Sequence, residues 1–117
     1  MLTIRRAHMS AFENGMLARW VVEHVQRHFP DLGLAPDMIA ASLARGRSYG
    51  FQKPADLCRF VDLRCALGEH FDRDPRLPWA ARLLNAPEIA DPTERMDLLA
   101  AAARAQLRAA DLAGQSA

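Results

Sequence analysis

The sequence predicts an all-α fold, a compact single-domain bundle of about five helices. Three observations carry that expectation. Alanine and arginine are abundant whereas Val, Ile, Thr and Tyr are sparse, a mix that favours helix over strand. Apolar side chains recur at steps of three and four, with no alternating run of strand length among them. Proline and glycine fall between these periodic stretches, where they punctuate a helical chain. A length of 117 residues suits one domain, and a composition 50% hydrophobic and 25% charged is globular.

The first helix is expected over Arg5 to Phe29. Met9, Phe12, Met16 and Trp20 form its apolar stripe, widened by Leu17, Val21 and Val25. Pro30 ends it, because the residue before a proline is pushed out of the α region. Gly15 lies inside, at a cost of about 1 kcal/mol against alanine. Pro36 is pre-set for the first helical position and opens the second helix. Ile39, Leu43 and Gly46 share one face of it, with Met38 beside them. Gly50 is placed to take the left-handed conformation that closes this helix after Tyr49.

The third helix spans Pro54 to Leu67. Leu57, Val61 and Cys65 lie on one row, Phe60, Arg64 and Leu67 on the next, and Gly68 is the stop. Glu69 to Leu77 reads as an ordered loop, and Pro78 to Asn85 as a short helix presenting Trp79, Leu83 and Leu84. The last helix has the clearest start. Asp91-Pro92-Thr93-Glu94 sets an N-cap acid before a first-turn proline, with a reciprocal glutamate at the third helical position. Met96, Leu99, Ala103 and Leu107 form its buried row, and Gly114 ends it. The last residues, from 113 on, read as a short flexible tail.

Charge and composition exclude several classes of function. The formal net charge of +1 gives no field that favours a polyanion, so no nucleic-acid partner is expected. No apolar run approaches the ~20 residues of a membrane span, and no apolar stretch follows the N-terminal charges as in a secretory signal. The expected location is cytoplasmic. Cys58 and Cys65 stand roughly 10.5 Å apart along one helix at 1.5 Å per residue, too far to bridge, and read as buried reduced thiols.

Candidate chemistry is thin. His24 and His28, four apart after Glu23, place two imidazoles on one helix face. A metal site needs a third and usually a fourth ligand, and the order is not His-Glu-x-x-His, so structural or solvated histidines are the reading. Asp72 and Asp74 have the spacing that opens a calcium loop. That loop also needs a mid-loop glycine and a bidentate glutamate, where this chain has Leu77 and Leu83. Turn capping and pairing with Arg73 or Arg76 is expected instead. Arg45-Gly46-Arg47 followed by Tyr49 is a basic and aromatic cluster that reads as a solvated helix end, since cations favour that end of the dipole. Without a glycine-rich phosphate loop, a Ser-His-Asp order or paired carboxylates, the chain is read as non-enzymatic, with no catalytic residue, metal or cofactor.

Three stretches together carry a resemblance. They are Thr3-Ile-Arg-Arg-Ala-His-Met-Ser-Ala-Phe12, then Ala44-Arg-Gly-Arg-Ser-Tyr-Gly-Phe51, then Phe60-Val-Asp-Leu63 continuing through Leu67-Gly-Glu-His-Phe-Asp-Arg-Asp-Pro75 to Pro78-Trp79. With Glu94-Arg95 opening the final helix, the chain resembles a family of small helical proteins encoded with type VI secretion genes. His8 stands where that family more often has glutamine. The resemblance implies an accessory or adaptor-type protein that binds an effector, its loading adaptor chaperone or a spike component. The alternative it implies is an immunity protein that neutralises a cognate toxin. Phe71 and Trp79 flank a loop stiffened by Pro75 and Pro78 and are expected to pack inward, either one becoming an anchor for a partner if left exposed. The protein-binding candidates are Arg45, Arg47, Tyr49, Phe71, Arg73 and Trp79. The oligomeric state is left open.

Overall fold

Prolines set the element boundaries. In the computed structural model, described over residues 2–116 with side chains over 15–113, α1 (Leu2–His28) is followed by a 3-10 turn (Pro30–Leu32). Then come α2 (Pro36–Ser48), α3 (Pro54–Leu67), α4 (Pro78–Leu84) and α5 (Pro92–Ser116). Each element after α1 begins on its proline, which spends no amide at a position where the helix could not use one. Among the described residues there is no strand, and the all-α bundle expected from the sequence is the fold.

Glycines close two of the helices. Gly50 (φ +99°) follows Tyr49 after α2, and Gly68 (φ +117°) follows α3, both in backbone that side-chain-bearing residues rarely adopt. At α5 the Asp91 carboxylate accepts the Thr93 amide at 3.1 Å, so the acid expected as N-cap satisfies one free donor of the first turn. The expected stop at Gly114 is not taken, since α5 is helical through Ser116.

α3 is the hub, with α1, α2 and α5 packed on it and α4 resting on α5. Its buried face carries Leu57, Phe60, Val61 and Leu63, and also Cys58. Phe60 sits at the centre, its ring centred 5.2 Å from Phe71, 6.0 Å from Tyr49 and 6.1 Å from Phe51. α2 comes close because Gly46 has no side chain. A Cβ there would stand 3.1 Å from Leu57 Cδ2 and 3.3 Å from the Phe60 ring. Arg95 ties the far ends together, donating to the carbonyls of Tyr49 (2.9 Å) and Ile89 (2.7 Å).

Two expected apolar rows need correction. On α1 the buried row is Leu17, Val21 and Val25, while Met16 and Trp20 are 57% and 53% exposed. The two rows are adjacent, and the compact row is the one turned toward α2 and α3. Met9 and Phe12 have side chains outside the described residues. On α5 the buried row ends at Ala103, and Leu107 is 40% exposed. α5 is about 37 Å long at 1.5 Å per residue, and α3, on which it packs, stops at Leu67. Its last turns outrun the core. Gly15 lies on open surface, and a Cβ there would meet nothing within 4 Å among the described residues.

Candidate functional site

α1 and α5 both pack on α3, and the space between them is an open groove of about 390 Å³. Small side chains create it, because Ala66 on α3 and Ala100 and Ala103 on α5 do not fill the gap. Phe29, Leu63 and Leu107 make the rest of its apolar lining. Polar groups stand at its edges. His24 Nε2 lies 2.9 Å from Asp62 Oδ1, joining α1 to α3. Arg59 donates to Asp97 at 2.8 Å, and Arg104 projects from α5 with no ion-pair partner among the described residues. His28 borders the groove too, its ring centred 4.5 Å from that of His24.

Cys58 lies behind the His24–Asp62 pair. One donor atom from each of His24, Cys58 and Asp62 falls within 4.8 Å of the others. Burial pushes the Cys58 thiol up to about 11, helped by the Asp62 carboxylate and by Cys65, so in this surrounding it is a neutral thiol. Burial raises the Cys65 thiol as well. The i,i+4 histidines were visible in the sequence. Their partners were not, because Asp62 lies 38 positions away and only the packing of α1 on α3 brings it near.

The residues singled out in the sequence as a binding surface converge elsewhere. Asp72, buried in the loop after α3, accepts the Tyr49 hydroxyl at 2.7 Å and Arg45 Nη1 at 3.4 Å, while Arg73 Nε is 3.9 Å away. Arg45 also donates to the Glu69 carbonyl at 2.6 Å. Phe71 is fully buried and offers no surface to a partner. Trp79 is half-buried against the core, Arg47 is half-buried, and Arg73 is exposed. Two of the six, Arg45 and Tyr49, therefore form with Asp72 a latch that fastens the loop onto the end of α2. Asp74 behaves as expected of a turn acid, accepting the Arg76 amide at 2.9 Å and its guanidinium at 2.9 and 3.1 Å. Those bonds hold the Asp74 carboxyl below the usual carboxylate range.

The latch has a direct optical reporter, since Tyr49 is the one tyrosine in the sequence. Burial first, then the hydrogen bond to Asp72 and its negative charge, push the phenol up to about 12. A folded value above the unfolded one, near 10, means that this contribution to stability is complete below pH 10 and is lost on rising through 12. Phenolate absorbance of the native chain is expected to titrate near pH 12, and Asp72→Asn to bring the midpoint down. A midpoint near 10 in the folded chain contradicts the latch.

Among the described residues no helix is long and apolar enough to cross a membrane. Comparison with known proteins found no matching family model, no matching curated protein and no matching solved structure.

Proposed function

We propose that the chain is a non-enzymatic accessory protein of a type VI secretion locus, acting in the cytoplasm by binding an effector or the adaptor that loads it. The motifs shared with that family support the setting. The observation that carries the binding mode is the open apolar groove between α1 and α5, with Arg104 at its edge. A groove of this kind suits an amphipathic helix laid along it, with apolar residues at i, i+3 and i+4 pointing inward. Phe29, Leu63 and Leu107 supply the apolar contacts, and Arg104 a bidentate donor for an acidic residue flanking them. Binding then shields an apolar segment of the cargo until it is handed on.

The test uses the full chain as bait against the spike, adaptor and effector encoded beside it, each expressed alone. Capture of the adaptor or the effector is expected, and Leu107→Glu is expected to remove it while the fold is kept, since Leu107 lies outside the core. Rescue of a cell from a co-encoded toxin by this chain alone, without any part in loading, replaces this reading with the immunity role. No capture of any of the three ends the proposal.

A further inference from the structure

Two facing helices each present metal-ligating side chains one turn apart, His24 and His28 on α1 and Cys58 and Asp62 on α3. Residues four apart on a helix stand one above the other on the same face. Where α1 packs on α3, His24 Nε2 comes to 2.9 Å from Asp62 Oδ1, and the Cys58 sulfur joins them in a cluster no wider than 4.8 Å. We infer that His24, Cys58 and Asp62 form a binding site for a divalent transition metal of the zinc class.

The donor set points to that class. One imidazole, one thiolate and one carboxylate suit zinc or cobalt, whereas magnesium and calcium take oxygen ligands throughout. Metal–ligand bonds of about 2.0–2.3 Å at tetrahedral angles put ligand atoms about 3.3–3.8 Å apart. A cluster within 4.8 Å reaches that by side-chain rotation, with both helices in place. The metal takes the place of the hydrogen bond between His24 Nε2 and Asp62 Oδ1: Nε2 binds it as the unprotonated ring nitrogen, the imidazole carries its proton on Nδ1, and any proton displaced goes to solvent. Cys58 binds as thiolate and gives its proton to solvent. The ion enters from the groove, which His24 and Asp62 border, and water from the groove fills the fourth position. The inference does not depend on the identity of any protein partner.

The test is a titration of the reduced, metal-free full chain, carrying no histidine tag, with Co2+. Binding of one Co2+ per chain is expected, with the visible absorption of tetrahedral cobalt and a near-ultraviolet thiolate charge-transfer band, both removed by an equivalent of Zn2+. Changing an outer partner of a metal site costs about 10–100-fold in affinity, so Cys58→Ser should cost at least about 100-fold and abolish the charge-transfer band. Asp62→Asn should weaken binding at least about 10-fold while keeping the band. Cys65→Ser should change neither, and far-ultraviolet circular dichroism reports that each variant is folded. Absence of a tetrahedral cobalt spectrum in the unmodified chain overturns the inference, as does a charge-transfer band that survives Cys58→Ser or disappears with Cys65→Ser.

Discussion

Phe60→Ala is expected to lower stability by about 3–5 kcal/mol, a large part of the roughly 5–15 kcal/mol that holds a domain of this size folded. Phe60 is fully buried on α3 and meets three other aromatic rings, those of Tyr49, Phe51 and Phe71. Aromatic pairs in tilted contact add about 0.5–1.5 kcal/mol each beyond the area they bury, so truncation removes several favourable contacts at once. It also leaves a void against the bare backbone of Gly46, which the packing of α2 on Leu57 keeps from closing. Urea unfolding followed by circular dichroism measures the loss. An exposed apolar position on the same bundle, Leu98→Ala, is expected to change stability by less than about 0.5 kcal/mol. Equal effects at the two positions would mean that the core is not where these rings converge.

Asp72→Ala is the second large effect, at about 2–4 kcal/mol, or roughly 10–15 °C in Tm. The carboxylate is 1% exposed and accepts from Tyr49 and Arg45, so deleting it strands a phenol and weakens the hold on a guanidinium. A donor left without its acceptor costs more than the bond contributed net, which is why the loss exceeds that of an ordinary surface ion pair. Asp72→Asn keeps an acceptor oxygen for Tyr49 and is expected to cost less than half as much. Differential scanning calorimetry separates the two variants. Matching losses would show that charge alone, and not the acceptor, fastens the loop to α2.

Local chemistry made much of the fold legible. Pro36, Pro54, Pro78 and Pro92 each begin a helix, and Gly50 and Gly68 each close one, because ring constraint and positive φ act over a residue or two. The inward turn of Phe71 was also readable from the rigid loop around it. Choices between neighbouring rows were not. Met16 and Trp20 are as apolar as Leu17 and Val21, and periodicity cannot say which row a partner helix will cover. Leu107 fits the periodic row of α5 but faces the open groove beside the end of α3, where the small Ala66 leaves it uncovered, a relation that exists only between elements.

The same distinction explains the functional residues. Arg45 and Tyr49 drew attention, with Arg47, as a basic and aromatic cluster, yet Asp72 draws the two of them into an internal fastening. The groove depends on Ala66, Ala100 and Ala103, residues whose importance lies in the space they leave and which carry no chemical signal of their own. His24 needed Asp62 and Cys58 from another helix before it meant anything beyond a solvated imidazole.

The groove between α1 and α5 as the binding surface is the claim on which the functional account rests. Amide hydrogen exchange of the full chain, alone and with a captured partner, tests it most directly. New protection is predicted along the groove walls, over residues 24–28 of α1 with Phe29 just after it, and over residues 100–107 of α5. Protection confined to the loop face around Arg45 and Arg73, with the groove walls exchanging as in the free chain, would contradict it.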